Sequence, residues 1–424
     1  MVELTPRRVV PARRLRLTSR MPRRAIIAGM VAVVLAGVPA GQAAAADPGE
    51  RAEALLFAGA VNRFVAKQVP STFSIRGDRD AGIGAQDVTL VDARYCGATA
   101  RGHGRLVGVL RPASSGESAP AALPSLEARD CHAKLEELAR RLAGAPDAGA
   151  VAVVELVAEW VPSEIRVSIG DVGTGGEGAR ALGRTLARAK ATGPLGTAET
   201  GGLKLETERG SSLSFDLALS FLKDGVLATL TVACPGCVPA APRAPAIVPT
   251  SASGDADGAV GASLRMANRV VALFSEDGPL VLEMDKQAVE IRNVQIAGGE
   301  GTLSVRGRAT SRAVAETALV QIDSAGGDLK LNEVRADPEL ENCNAVSGAG
   351  AMRCNLRNAA RGPAAAALAA AMTSRYRGKL LRTLVVPPPF SFEVSGRRLT
   401  LRLTPTRASS TSSGLVVQGK AELE

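Results

Sequence analysis

The residues of this chain with the plainest chemistry are its six cysteines: Cys96, Cys131, Cys234, Cys237, Cys343 and Cys354. An even number of cysteines in an exported protein indicates disulfide bonds, because thiols pair in oxidising compartments. The short spacing favours a bond between Cys343 and Cys354. A bond between Cys96 and Cys131 follows if Cys234 pairs with Cys237, and the cysteine count alone leaves other pairings open.

Cys234 and Cys237 form a redox-like motif, CPGC. In thioredoxin-type proteins this motif precedes a helix, whose N-terminus stabilises the reactive thiolate. Here the run VPAAPRAPAIVP follows, and its four prolines forbid such a helix. The motif therefore predicts a structural local disulfide and not an oxidoreductase.

Two histidines, His103 and His132, lie close in sequence to Cys96 and Cys131. Together these four residues supply the right atoms for a zinc site. Their spacing matches no common zinc motif, and export favours a disulfide between the two cysteines. The sequence therefore predicts no metal site.

A glycine-rich run, GTGGEG at 173–178, has the spacing of a dinucleotide-binding loop. The preceding strand alternates Ile165, Val167 and Ile169 with polar residues, whereas a doubly covered strand of a dinucleotide fold is apolar throughout. The run at 220–223 fits S-x-x-K, but it lies in a predicted strand and the nucleophilic motif begins a helix. We therefore predict no catalytic residue, no cofactor and no enzymatic activity.

The N-terminus has the pattern of a secretory signal peptide over residues 1–46, with Met21 as an alternative start. Two arginines precede an apolar core over 25–40, and small residues at 43–46 offer A-x-A cleavage sites. The core is shorter than the roughly 20 residues that a membrane-spanning helix needs. We expect export to the periplasm of a Gram-negative bacterium, or secretion, with no transmembrane segment after cleavage.

The net charge of +9 overstates how basic the exported part is. Residues 1–46 hold eight arginines and one acid, which accounts for +7 and leaves +2 for the remainder. Aromatic residues make up only 3% of the chain. Phosphate contacts need clustered basic charge, and base stacking needs aromatic side chains. We therefore expect no nucleic-acid partner.

Composition divides the exported part into two lobes. Residues 235–262 are rich in Pro, Ala, Ser and Gly without a hydrophobic period, which predicts a linker between lobes over 47–234 and 263–424. Both lobes alternate apolar and polar residues, as in LSFDLALSFLKDGVLATLTV, where Asp224-Gly225 predicts a hairpin. The fold class that we expect is α+β, with each lobe a long antiparallel sheet covered by amphipathic helices.

The two lobes open alike, which indicates an internal duplication. The run NRFVA at 62–66 matches NRVVA at 268–272, and strand-like segments follow each run in the same order. The apolar residues of both opening helices recur at helical spacing, so each helix presents one apolar stripe.

Apolar stripes on predicted helices supply the candidate lining of a ligand cavity. The candidates are Phe57, Val61 and Phe64 on the first opening helix, Leu264, Val271 and Phe274 on the second, and Leu368 and Met372 on a helix predicted over 363–384. The same stripes would equally serve to pack each helix on its own sheet. The sequence leaves both interpretations open.

The opening helix with Asn62-Arg63-x-x-Ala66-Lys67, the strands VTLVDARYC and GRLVGVLR, and the late helix followed by a hairpin resemble bacterial periplasmic proteins of the tubular lipid-binding (TULIP) superfamily. The resemblance implies long, curved antiparallel sheets, each wrapped around a helix and leaving an apolar tunnel for acyl chains, with no catalytic residues. It predicts a cell-envelope protein that binds or carries an apolar ligand, a lipid, without catalysis. The alternative is a structural or protein-interaction module with no small ligand, for which the sequence names no partner.

Overall fold

The structure is a computed structural model, in which most of the chain after the predicted signal peptide is described. The described ranges are 50–67, 69–75, 86–113, 123–145, 149–161, 164–176, 178–192, 196–199, 203–206, 210–233, 245–251, 254–276, 278–284, 287–311, 317–326, 328–378, 390–394, 397–411 and 414–423. The predicted signal peptide and the predicted pair Cys234 and Cys237 lie outside these ranges.

The described residues form mostly strands, with a few helices. The strands are β1 (Arg51–Phe57), β2 (Ser71–Ile75), β3 (Gln86–Ala98), β4 (Gly104–Pro112), β5 (Val151–Val161), β6 (Glu164–Gly175), β7 (Gly196–Glu199), β8 (Leu203–Glu206), β9 (Ser212–Leu222), β10 (Gly225–Val232), β11 (Gly258–Ala262), β12 (Leu280–Met284), β13 (Gln287–Gly299), β14 (Thr302–Ser311), β15 (Thr317–Ala325), β16 (Lys330–Pro338), β17 (Phe390–Val394), β18 (Arg397–Thr411) and β19 (Gly414–Leu423). The α-helices are α1 (Ala58–Lys67), α2 (Leu135–Ala143), α3 (Ala179–Thr192), α4 (Leu264–Ser275) and α5 (Ala349–Tyr376), and two short 3-10 helices cover Ala128–His132 and Cys343–Ala345.

Three antiparallel sheets organise these strands. A six-stranded sheet runs in the order β2 to β7, and a five-stranded sheet in the order β12 to β16. A central eight-stranded sheet has the order β17-β18-β19-β11-β1-β10-β9-β8. The predicted α+β composition and the antiparallel pairing are confirmed, including the hairpin at Asp224-Gly225 between β9 and β10.

The six-stranded sheet is covered by a helix on each face. Val151 and Val153 of β5 pack with α2, whereas Ala152 and Val154 pack with α3. Successive side chains of a strand point to opposite faces, so a strand covered on both sides has no polar face. This explains why the run VAVV is apolar without alternation, and why all four of its residues are fully buried.

The central sheet takes β1, β8, β9 and β10 from before the predicted linker and β17, β18 and β19 from after it. Between these two groups, β1 pairs directly with β11, which lies inside the range predicted as linker. The last residues of the range predicted as linker, 258–262, are therefore not linker but a buried strand. Their sequence, GAVGA, has the composition of a linker because it contains two glycines. Both glycines are needed because neighbouring residues pack closely against them. A Cβ atom on Gly258 would lie 2.8 Å from the carbonyl oxygen of Leu55, and one on Gly261 would lie 2.6 Å from Ile247.

A buried carboxylate holds another part of the predicted linker against the central sheet. Glu53 of β1 is fully buried and forms an ion pair with Arg51. The backbone N–H groups of Ala246, Ile247 and Val248 donate to the Glu53 carboxylate at 2.8–3.1 Å. Because a buried charge is costly without such partners, this clamp fixes residues 246–248 in one place.

The matched opening motifs make the same contact in both halves. The Asn62 side chain accepts a hydrogen bond from the Tyr95 N–H at 2.7 Å and donates to the Tyr95 carbonyl at 3.5 Å. The Asn268 side chain accepts from the Ile296 N–H and donates to the Ile296 carbonyl, both at 2.7 Å. Each asparagine thus clamps its helix, α1 or α4, to the second strand of the neighbouring sheet, β3 or β13.

The adjacent arginines reach across the central pair of strands. Arg63 forms an ion pair with Asp257, just before β11, at 2.6 Å, and Arg269 forms one with Glu50, just before β1, at 2.6 Å. The alignment that equates Asn62 with Asn268 also equates Ala54 with Val260, and these two residues are direct partners in the β1–β11 ladder. Strands β1 and β11, with the helices that follow them, are therefore related by a local two-fold axis through this pair.

Both disulfides that fall within the described ranges match the prediction. Cys96 bonds to Cys131, and Cys343 bonds to Cys354. The helix expected over 363–384 instead begins at Ala349 and ends at Tyr376, with Pro363 in its interior. Proline is commonest in the first turn of a helix, which is why the sequence suggested a start at Pro363.

Candidate functional site

The apolar stripe of α1 is only half-buried. Val61 and Phe64 lie three residues apart, so their side chains are neighbours on one face of the helix, and both are partly exposed. Their counterparts on α4, by the alignment of the two asparagines, are Ala267 and Val270, which are 2% and 1% exposed. The same element is therefore packed into the core in one half and left partly open in the other.

Strands β9 and β10 of the central sheet supply the surface beside this stripe. Phe64, Leu217 of β9 and Ala228 of β10 are all partly buried and pack against one apolar cluster. Leu219 lies two residues beyond Leu217 on the same face of β9 and is also partly buried. We name these five residues the α1 patch: Val61, Phe64, Leu217, Leu219 and Ala228.

Solvent exposure falls along β9 from the α1 patch towards the core. Phe215, two residues before Leu217, is 1% exposed, and Leu213 is 9% exposed. Phe221, at the other end of the strand, is partly exposed and lies against Gly104 of β4, where a Cβ atom would stand 2.5 Å from its ring. The patch therefore occupies a boundary between the central sheet, α1 and the six-stranded sheet.

Tyr95 positions the hairpin that carries this surface. Its hydroxyl lies 2.7 Å from the carbonyl oxygen of Leu222 and 2.9 Å from that of Gly225, at the two ends of the turn between β9 and β10. Burial raises the pKa of Tyr95 above its ordinary value, so the hydroxyl keeps its proton and remains a donor. The backbone of Gly97 also packs on Lys223 of the turn, where a Cβ atom would lie 2.9 Å from the Lys223 carbonyl oxygen.

The eight residues predicted from helix stripes do not meet in one lining. Phe64, Leu264 and Val271 belong to a single apolar cluster on one face of the central sheet. Leu368 and Met372 of α5 belong to a separate cluster under the five-stranded sheet, where Met372 is fully buried. The side chain of Phe274 lies outside the described part of the structure.

Phe57 was predicted on the first helix stripe, and the structure places it in β1 instead. Side chains alternate along a strand, so Phe57 shares a face with Glu53 and Leu55, whereas Ala54 and Leu56 face the cluster that contains Phe64. Phe57 packs with Leu55 and with residues of the segment that Glu53 clamps. It therefore lies on the opposite side of the sheet from the α1 patch.

Sequence reasoning missed the strand side of the α1 patch. Its signal is the alternation in LSFDLALSFL, which places Leu217, Leu219 and Phe221 on one face of β9. That pattern predicts an apolar face, but it does not say which helix lies beside the face or how completely it is covered.

The described ranges contain no group of three or more His, Cys, Asp or Glu side chains arranged to hold a metal ion. Within the same ranges, no helix combines the length and the apolar character needed to cross a bilayer. What the α1 patch offers chemically is apolar area on a rigid helix and a rigid sheet. Such a surface fits a hydrocarbon ligand better than a polar one.

No family model and no curated protein matches this chain. Among solved structures, the chain is similar to P47 of Clostridium botulinum E1, with 8% identity, a TM-score of 0.32, and coverage of 88% of this chain and 99% of that one. It is similar to P47 from Clostridium botulinum A2, with 9% identity, a TM-score of 0.29, and coverage of 88% and 97%. It is also similar to a lipopolysaccharide binding protein, with 10% identity, a TM-score of 0.26, and coverage of 89% and 99%. Likenesses this distant carry no argument about what the chain does.

Proposed function

We propose that this protein is an exported, non-enzymatic carrier of an apolar ligand, and that a lipid acyl chain lies on the α1 patch. The observation that carries the proposal is the contrast between the repeats. Val61 and Phe64 are partly exposed, whereas their counterparts Ala267 and Val270 are buried. A stripe with the same pattern and the same helix clamp is thus left partly exposed in one half.

An acyl chain would cover this stripe at an energetic gain. Each CH₂ group that leaves water contributes about 0.8 kcal/mol, and the partly exposed side chains of the patch would lose water as well. Phe64 and Leu217 sit on a helix and a strand that are already fixed by the Asn62 and Tyr95 contacts. Little conformational freedom is therefore lost on binding.

The covalent bonds support the exported location that the proposal needs. The disulfides Cys96–Cys131 and Cys343–Cys354 would be maintained in an oxidising compartment such as the periplasm. The finer architecture that we propose is two curved lobes of the TULIP type, each opening with the same clamped helix.

A structural or protein-interaction module is the second candidate function, and the second half favours it. Met266, Val270 and Val271 of α4 are 1% exposed, and Met372 of α5 is fully buried. These side chains fill the space that a ligand would need. On this alternative, the partly exposed stripe of α1 would be covered by a protein and not by a lipid.

The test is displacement of a fluorescent fatty acid by the purified protein, measured beside thermal unfolding. Phe64→Arg should lower fatty-acid affinity at least tenfold, because it places a charge where the acyl chain lies. Phe64→Leu, the matched control, keeps an apolar side chain and should change affinity less than threefold.

Native mass spectrometry of protein purified from its own envelope supplies the second readout. A co-purifying lipid that Phe64→Arg removes would support the carrier function. A wild-type protein that binds no probe and carries no lipid would refute it. If Phe64→Arg unfolds the protein, Leu217→Ala, which only shortens a side chain of the patch, replaces it as the test variant.

A further inference from the structure

Exposed large apolar side chains concentrate at one place, the segment that joins β16 to α5. In the described ranges, Leu340 is 65% exposed, Val346 46%, Met352 67% and Leu356 61%. Isolated apolar side chains on a surface are ordinary, whereas an exposed apolar patch marks a contact site for a protein or a membrane. We call this segment, residues 339–361, the tip.

A disulfide bond, hydrogen bonds and an ion pair hold the tip together, so its exposed apolar side chains sit on a fixed segment. The disulfide Cys343–Cys354 ties the loop to the helix. The Asn358 side chain accepts from the Glu341 N–H and donates to the Glu341 carbonyl, both at 2.9 Å. The Glu341 carboxylate forms an ion pair with Arg361 at 2.6 Å.

These ties lie on one face of α5 and leave the other face free. Cys354, Asn358 and Arg361 are spaced by four and three residues, so they line the side that the loop covers. Met352 and Leu356 are also four residues apart, and Met352 lies about 200° around the helix from Cys354. The apolar pair therefore points away from the loop and into solvent.

Charge on this helix has one sign. The 28 residues of α5 contain four arginines and no aspartate or glutamate. Arg353 follows Met352 in sequence, and Arg357 follows Leu356, so an arginine row runs beside the apolar pair. Arg357 is 61% exposed although it lies 3.2 Å from Glu341, and Arg353 is exposed.

The remainder of the outward face of α5 is flat. Its exposed residues after Leu356 are mainly alanines: Ala359, Ala360, Ala366, Ala367, Ala370 and Ala371. This helix face combines small residues, two protruding apolar side chains and flanking arginines. Such a face is suited to contact with a soft, negatively charged surface such as a lipid bilayer. Helical segments that lie in the headgroup region of bilayers place apolar side chains inward and basic side chains at the phosphates.

We propose that the tip docks the protein on an anionic phospholipid surface, with Met352 and Leu356 entering the acyl boundary and Arg353 and Arg357 meeting headgroup phosphates. This goes beyond the proposed carrier function, because the tip lies in the second half and does not require a ligand on the α1 patch. A carrier needs such a contact to exchange its cargo with a membrane.

The experiment is flotation of the purified protein with vesicles of phosphatidylglycerol and phosphatidylethanolamine, and with vesicles of phosphatidylcholine alone. We expect binding to the anionic vesicles, weaker binding to phosphatidylcholine, and loss of binding in high salt. The double variant Met352→Glu/Leu356→Glu should bind anionic vesicles at least tenfold more weakly. It should unfold at the same temperature as the wild type, because both side chains are already exposed.

Leu319→Glu is the matched control. Leu319 is 48% exposed on β15, outside the tip, so the same chemical change there should leave vesicle binding unaltered. Arg353→Gln/Arg357→Gln separates the two contributions and should reduce binding to anionic vesicles while leaving phosphatidylcholine binding unchanged.

Several outcomes would overturn the docking proposal. Equal flotation of the wild type and the Met352→Glu/Leu356→Glu variant would show that the tip does not touch the bilayer. A wild-type dimer that this variant converts to a monomer, without vesicle binding, would make the tip a contact between two copies. Fatty-acid displacement without vesicles tests the carrier function separately, so failure of one proposal leaves the other standing.

Discussion

The two halves of this molecule use one helix in two ways. Helices α1 and α4 share a motif, the same asparagine clamp and the same cross-strand arginine, yet α1 keeps its apolar stripe partly exposed whereas α4 buries it. The local device therefore fixes where a helix sits and which face it turns inward. Whether that face becomes core or surface depends on what the rest of each half places opposite.

In the second half, residues from several elements close over α4. Leu303 of β14, Leu403 of β18 and Leu329 are 5%, 5% and 1% exposed, and all belong to the cluster around Val270 and Val271. In the first half, Phe64 of α1 and Leu217 of β9 pack against the same cluster and remain partly exposed. Two segments with the same motif can thus differ in how deeply their apolar stripes are buried.

The largest expected effect comes from placing a charge on each helix at equivalent positions. Val271→Arg should destabilise the protein by about 4 kcal/mol or more, because the new charge would be buried among apolar side chains. Val65→Arg should cost less than about 1.5 kcal/mol, because a long arginine side chain at a partly exposed site can reach water. Urea unfolding of both variants measures the difference, and equal costs would remove the distinction between the halves.

The two disulfides should stabilise their halves by different amounts. Cys96 and Cys131 are 35 residues apart, and Cys343 and Cys354 are 11 apart. The chain-entropy model assigns about 4 kcal/mol to the longer loop and about 3 kcal/mol to the shorter one. Paired Cys→Ser variants followed by urea unfolding test this order. A larger loss of stability from Cys343→Ser/Cys354→Ser than from the other pair would contradict the order that the chain-entropy model gives.

The asparagine clamps offer a direct comparison of the repeats. Asn62→Ala and Asn268→Ala should each cost about 1–3 kcal/mol, since a strand N–H and a carbonyl lose their partner. The loss should be larger for Asn268, whose second hydrogen bond is 2.7 Å long, against 3.5 Å for Asn62. Asn355→Ala, at an exposed position on α5, is the control and should be nearly neutral. Equal effects of all three changes would deny the clamps a role in stability.

The smallest effect concerns acid stability of the first half, through the connection that holds α2. Burial raises the pKa of Asp130, but hydrogen bonds from Arg141 and from the Glu127 N–H outweigh burial, so the pKa lies below its ordinary value. A carboxyl with a lowered pKa stabilises the fold above its ordinary pKa of about 3.9, and that stability is lost as the pH falls through the folded-state pKa. The stability difference between wild type and Asp130→Asn should therefore shrink below about pH 4. A difference that stays constant from pH 7 to pH 3 would contradict this account.

Sequence patterns predicted the local features better than the arrangement of elements. The two disulfides, the Asp224-Gly225 hairpin and the antiparallel α+β composition are confirmed, because each depends on local spacing or alternation. Phe57 was assigned to a helix because its spacing from Val61 fits a helical stripe, but the helix begins one residue later. Spacing cannot distinguish the last residue of a strand from the first of a helix.

Contacts with residues that are distant in sequence explain the other differences between the predictions and the structure. The strand GAVGA and the clamped residues 246–248 looked like linker, because small residues and prolines signal flexibility unless a neighbour demands close packing. That residues 246–248 are held in place becomes visible only when Glu53 is seen to lie opposite them. The α1 patch follows the same rule: its residue types were readable, but its exposure depends on strands more than a hundred positions away. The division of the chain into two lobes stays a prediction, although residues 258–262 of the expected linker form β11.

The β1–β11 ladder has a consequence for how such a chain could arise. Each half ends its share of the central sheet at this pair, so either half alone would expose an unpaired edge strand, and unpaired edges recruit other strands. Because the local two-fold axis passes through Ala54 and Val260, a single half has the geometry to pair with a copy of itself in an isologous dimer. Fusion of two such copies into one chain would make that pairing permanent and would allow the copies to differ, as α4, whose stripe is buried, differs from α1, whose stripe is partly exposed.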